Sequence, residues 1–134
     1  MAELTARCGD CGGSVRVEIS QSVIHGGIEW SIHRACGGCG REAYECGRGD
    51  LPEGARAALV EQCGLTRVRA GGGVPGAARL KVMRVFRDGG AGLAEAAGAV
   101  ERLAGEGLTG TRAEMELLAG RLRAAGAPVS LGPA

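Results

Sequence analysis

Cys8-Gly-Asp-Cys11-Gly12 and Cys36-Gly-Gly-Cys39-Gly40 are the two stretches that decide how the front of this chain folds. Each is a Cys-x-x-Cys followed at once by glycine. A tetrahedral ion such as Zn²⁺ takes four ligands at about 2.3 Å, and structural sites commonly draw them from two such pairs. The two intervening residues let the sulfurs of a pair converge on one ion. The glycine behind them has no Cβ, so the backbone turns sharply there at little steric cost. Cys8, Cys11, Cys36 and Cys39 are therefore expected to hold one structural Zn²⁺. Four thiolates close the coordination shell and leave no open position for a catalytic water.

Between the two pairs, Val15-Arg-Val17-Glu-Ile19 and Ile28-Glu-Trp30-Ser-Ile32-His33 alternate apolar and polar residues. That is the period of a half-buried strand. His25-Gly26-Gly27 marks a turn between them, and Glu42-Ala-Tyr44-Glu-Cys46 reads as a third strand. The order knuckle, strand, turn, strand, knuckle resembles a zinc ribbon, spanning residues 1–49. Val15, Val17, Ile19, Trp30 and Ile32 would form its small core. With one Trp, one Tyr and one Phe in the whole chain, bulky core material is scarce, and a metal is a common supplement in such cases. Binding energies of roughly 10–16 kcal/mol would then dominate the stability of this module.

Cys46, Cys63, His25 and His33 lack paired spacing. The plain expectation is two buried thiols and two surface histidines. A second metal site from these four, or a redox pair between the two cysteines, are the sharper alternatives. Nucleophilic catalysis needs a thiol outside the metal site, an oriented histidine and an oxyanion pocket. None is visible, so no catalytic residue is assigned and no enzyme is expected.

The 134 residues carry a formal net charge of +1. This gives no global pull towards nucleic acid or a membrane. Arginine supplies nearly all the positive charge, with Lys81 the lone lysine, a usage typical of high-GC bacterial coding. Apolar runs are too short to span a bilayer, and Glu3, Arg7 and Asp10 interrupt any leader-like start. Knuckle spacing without a leader points to a reducing cytoplasm.

Residues 50–64 read as a connecting helix. Pro52 suits a first turn, Asp50 or a neighbour a cap, and Gly64 a stop. Ala55, Ala58, Leu59 and Gln62 recur at helical spacing. Leu65–Ala70 is short and strand-like. Gly71-Gly-Gly-Val-Pro-Gly76 lacks the Gly-Lys-Ser/Thr ending of a phosphate loop and reads as a strand-to-helix connection. Leu80-Lys-Val-Met-Arg-Val-Phe86 fits either a strand or a helix, with propensity leaning to strand. Leu93, Ala96, Ala97, Val100 and Leu103 mark a helical stripe. Thr111-Arg-Ala-Glu114 is a capping box ahead of Met115, Leu118, Ala119, Leu122 and Ala125. Pro128-Val-Ser-Leu131 is extended.

The run from Leu80 to Leu131 resembles the C-terminal domain of the bacterial ribosomal stalk protein of the large subunit. The resemblance is carried by Val82-Met-Arg-Val-Phe-Arg87, Gly92-Leu-Ala-Glu-Ala96, and Thr111 through Ala125-Gly-Ala-Pro-Val-Ser-Leu131. It implies an α+β chain in which the ribbon precedes a β-α-α-β-α-β domain at residues 65–134. In that domain Leu65–Ala70 and Gly107–Gly110 are strands, and Ala78–Arg87 is the first helix. It further implies a protein-binding face at Arg79, Met83, Arg84 and Arg87. Two lysine positions of the family's second helix are Ala94 and Ala97 here, which weakens any electrostatic match to that family's partners. The expected function is a non-enzymatic, zinc-stabilised adaptor that binds another protein. The alternative is a nucleic-acid-binding ribbon using Arg16, Arg34, Arg41 and Arg48, among which Glu18, Glu29, Glu42, Glu45 and Asp50 interleave.

Overall fold

A computed structural model describes all residues, 1–134. It is mixed α+β, with two antiparallel sheets and four helices. The chain divides into two compact units, Met1–Gly64 and Leu65–Ala134.

The first unit is built on one long hairpin. Strands β2 (Ser14–Ile24) and β3 (Gly27–Cys36) pair along their whole length, from Ile24↔Gly27 to Val15↔Cys36. Their turn is only two residues, and both His25 (φ 51°) and Gly26 (φ 73°) are left-handed. This is the backbone of a type I′ turn, whose twist matches that of the flanking strands. Strand β4 (Glu42–Arg48) pairs with β3 on one side, and β1 (Ala2–Arg7) pairs with β2 on the other. The sheet order is thus β1-β2-β3-β4. Strand β1 has no signal in the sequence, because Glu3, Thr5 and Arg7 alternate around Leu4 and Ala6, both too modest to register as a core stripe.

Helix α1 (Glu53–Cys63) covers one face of this sheet. Ala55, Ala58 and Leu59 pack with Leu51 against Ala2, Val17, Ile19 and Ile32. Pro52 itself is the N-cap and no side chain caps the helix, so Asp50 does not play that part. Gly64 (φ 76°) ends it. Gly47 lies within β4, opposite Trp30. Any Cβ there would overlap the indole ring. Glycine is therefore what lets the chain's largest side chain lie against the sheet.

The second unit runs β5 (Thr66–Arg69), α2 (Arg79–Asp88), α3 (Leu93–Ala104), β6 (Leu108–Gly110), α4 (Arg112–Ala124) and β7 (Ser130–Pro133). Its sheet order is β6-β5-β7. Val68 and Ala70 are fully buried beneath Val82, Val100, Leu103, Met115, Ala119 and Leu122. The Leu80–Phe86 segment is helical, against its strand-leaning propensity. Val82 is fully buried while Leu80 and Lys81 point outward, a helical pattern that tertiary packing imposes over local preference. At α4 the capping box forms: the Glu114 N–H donates to Thr111 Oγ1 at 3.3 Å, and the Thr111 N–H donates to Glu114 Oε1 at 2.9 Å.

Two substitutions probe these features separately. Gly47→Val forces the indole aside and should cost the first unit about 1–3 kcal/mol, as overpacking does. Urea unfolding followed by Trp30 fluorescence reads it, and an unchanged midpoint would refute the steric role. Thr111→Ala removes the cap and should cost the second unit about 1 kcal/mol. Helical circular dichroism reads this loss, and an unaltered melt would contradict it.

Candidate metal centre

Each Cys pair forms the tip of a hairpin. Arg7↔Ser14 closes the β1–β2 hairpin around Cys8–Gly13, and Ala35↔Glu42 closes β3–β4 around the second knuckle. The two tips repeat one geometry. The Gly12 N–H donates to the Cys8 carbonyl at 3.0 Å and the Gly40 N–H to the Cys36 carbonyl at 3.1 Å. The Cys8 N–H donates to the Gly13 carbonyl at 2.8 Å and the Cys36 N–H to the Arg41 carbonyl at 2.9 Å. Gly12 and Gly40 have φ of 69° and 74°, which L side chains rarely adopt. The β2–β3 pairing brings the tips together, and the Gly37 N–H donates to the Ser14 carbonyl at 3.0 Å. An Arg41–Asp10 ion pair joins one tip to the other.

The four sulfurs all lie within 4.8 Å of one another. Cys8 and Cys39 Sγ are 3.9 Å apart, and Cys11 and Cys36 Sγ are 3.4 Å apart. A tetrahedron of about 2.3 Å bonds has edges of about 3.8 Å, so the donor set fits one tetrahedral ion. Cys8 and Cys36 are buried, while Cys11 and Cys39 are exposed. Two further glycines shape the centre. A Cβ on Gly13 would come within 3.1 Å of Cys11 Sγ and 3.4 Å of Gly38 Cα. One on Gly38 would come within 3.1 Å of the same sulfur. Spacing alone marked Gly12 and Gly40; the close approach at Gly13 and Gly38 exists only once the tips face each other.

Backbone dipoles polarise the sulfurs unequally. The Cys39 and Gly38 N–H groups, at 3.5 and 3.4 Å, both donate to Cys36 Sγ. Together with the Cys11 thiol they pull Cys36 down to about 6. The Arg41 N–H acts the same way on Cys39, but the Cys36 and Cys11 sulfurs and burial outweigh it and push this thiol up to about 11.

The remaining cysteines and histidines do not converge. Cys46 and Cys63 are exposed rather than buried. Cys46 lies on the edge strand β4 in register with Ser31 and Ser20, on the face that α1 leaves open. Cys63 ends α1, which packs on the other face, and its thiol donates to the Met1 carbonyl at 3.4 Å. The sheet separates the two thiols, so neither a redox pair nor a second metal site forms. His33 is half-buried, stacked on Tyr44 with ring centres 4.2 Å apart, and within 3.8 Å of Glu18 and 3.6 Å of Glu42. His25 is exposed in the turn.

In the second unit, Met83, Arg84 and Arg87 line one groove with Leu80, Asp88, Ala91 and Leu93. Arg79 lies off that lining and pairs with Glu101 of α3 at 3.9 Å. No helix is long and apolar enough to cross a membrane. No family model, curated protein or solved structure matches the chain.

Cys11→Ser or Cys39→Ser should abolish stoichiometric metal binding and unfold the first unit, leaving the helices of the second in place. Metal analysis with circular dichroism tests this, and full occupancy in either variant would refute the ligand set. Metal uptake near neutral pH should release protons, because the thiols must be deprotonated to bind the ion and Cys39 is pushed up to about 11. Affinity should fall as pH drops through about 6, where Cys36 also takes up a proton that metal must displace. Titration in weak buffer with a pH indicator reads both effects, and proton-neutral uptake would contradict them.

Proposed function

We propose that this chain is a non-enzymatic adaptor: a Zn²⁺-stabilised ribbon joined to a protein-binding domain of the ribosomal-stalk C-terminal type, working in a bacterial cytoplasm. The sulfur-only, closed donor set supports a structural ion. When bound, Zn²⁺ would cross-link two hairpin tips and supply no reactive water. Tetrahedral sulfur sites also suit iron, so a coloured protein as isolated would overturn the choice of zinc.

The observation that carries the binding reading is the groove beside α2. Leu80 and Leu93 are 81% and 62% exposed, and they flank Met83 with Arg84 and Arg87 alongside. Large apolar side chains gathered at the surface beside cations are what an interaction site needs. Arg84 and Arg87 form no ion pair within the chain, which leaves them for an acidic, amphipathic partner segment. The stalk resemblance supports the same face at Met83, Arg84 and Arg87, while Arg79 is already engaged by Glu101.

Against the nucleic-acid-binding ribbon stands the pairing of its arginines. Arg16 pairs with Glu3 and Glu18, Arg34 with Glu45, Arg41 with Asp10, and Arg48 with Glu29. A phosphate would have to compete with a carboxylate at every one.

Arg84→Glu with Arg87→Glu should abolish capture of a bacterial protein from nuclease-treated lysate, with helicity unchanged. Charge reversal at the ribbon residues Arg16 and Arg48 should leave capture intact. Equal capture by the α2 variant would overturn the adaptor reading.

A further inference from the structure

The second sheet has one face covered by helices and one without them. Val68 pairs with Leu108 and Leu131 and enters the core with them. Strand alternation places Arg67 and Arg69 on the opposite face. Both stems lie over Gly107, where a Cβ would sit 2.9 Å from Arg67 Cγ and 2.5 Å from Arg69 Cγ. The residues in register with them are Thr109 and Gly132 beside Arg67, and Ser130 beside Arg69. No carboxylate faces either guanidinium. Glu106, exposed next to Gly107, forms no ion pair with them. Arg67 Nε is buried and has no hydrogen-bond partner.

We propose that this face binds the phosphate backbone of a single-stranded nucleic acid through Arg67 and Arg69. Guanidinium matches phosphate oxygens with two parallel hydrogen bonds. Residues two apart on one strand stand about 6.7 Å apart, comparable with the step between consecutive phosphates of an extended strand. The Thr109 and Ser130 hydroxyls lie beside the two arginines and offer further donors. The face carries one exposed large apolar side chain, Leu65 at the entry to β5, too little to receive the hydrophobic residues of a peptide. Gly132 and the small neighbours leave it too shallow to enclose a free phosphate. It also has no aromatic ring, so bases do not stack on it and binding is indifferent to sequence. The site is distinct from the α2 groove and does not depend on it.

The test uses the full, metal-loaded chain and a fluorescein-labelled oligothymidylate, followed by anisotropy at stepped salt. Each phosphate contact on a single strand contributes about −0.7 to the slope of log affinity against log salt. Arg67→Gln with Arg69→Gln, which keeps part of each stem over Gly107, should flatten the slope by about 1.4 and weaken low-salt binding about tenfold or more. Arg67→Lys with Arg69→Lys should keep most of the slope. Thr109→Glu, which leaves both arginines and the core alone, should weaken binding to a similar degree, so the result does not hang on one variant's folding. Arg84→Ala with Arg87→Ala should change nothing. Failure of the wild-type chain to bind, an unaltered slope in the Gln variant, or an equal loss in the α2 variant would overturn the proposal. Displacement of the oligonucleotide by polyglutamate at equal charge concentration would overturn it in favour of an acidic protein.

Discussion

The register of the β2–β3 hairpin is the constraint on which the first unit rests. It is set at one end by the two-residue turn at His25 and Gly26 and expressed at the other by Val15↔Cys36. Because side chains alternate along a strand, a one-residue slip would turn either Val17 and Ile19 of β2 or Ile32 of β3 away from α1. The same slip would carry the second knuckle past the first and separate the four sulfurs. Core and metal site therefore report one geometric decision. Metal would reinforce it, since an ion bound across both tips favours only the register that brings them together.

Much of this was legible because the residues involved act locally. Cys-x-x-Cys-Gly, the alternation around Val17 and Ile32, the His25–Gly26 turn and the Thr111–Glu114 box each need only a few neighbours to be recognised. What escaped depends on partners distant in sequence. Strand β1 exists because β2 offers an edge and α1 buries Ala2. Gly47 matters only because Trp30 faces it, and Gly13 matters only because Gly38 does. Cys46 and Cys63 read as apolar by type, yet an edge strand and a helix end leave them exposed. The Leu80–Phe86 segment shows the same limit from the other side. Its residues taken alone lean to a strand, and the stalk resemblance implies a helix over Ala78–Arg87. The helix that forms buries Val82 in the core with Val68.

Charge is distributed differently in the two units, and net charge conceals it. In the first, Arg16, Arg34, Arg41 and Arg48 meet carboxylates across strands or between tips. These exposed pairs contribute little stability, but they neutralise the surface beside the four-cysteine cluster. In the second, Arg67, Arg69, Arg84 and Arg87 stand without such partners. Two lie over a bare sheet face and two beside exposed leucines. The difference leaves the first unit's arginines largely neutralised and four of the second unit's without carboxylate partners.

Strand β5 lies at the centre of its sheet, flanked by β6 and β7, so Arg69 must wait for Ser130 before its second edge is paired. The first unit has no such wait: its ligands run from Cys8 to Cys39, and its covering helix ends at Cys63. During synthesis the first unit can thus bring its two knuckles together while the second sheet is still missing a strand. Non-local pairing of this kind slows folding and leaves β5 with an open edge in the interval. The two arginines on that strand then serve a second purpose, since charge on an unpaired edge discourages it from pairing with another chain.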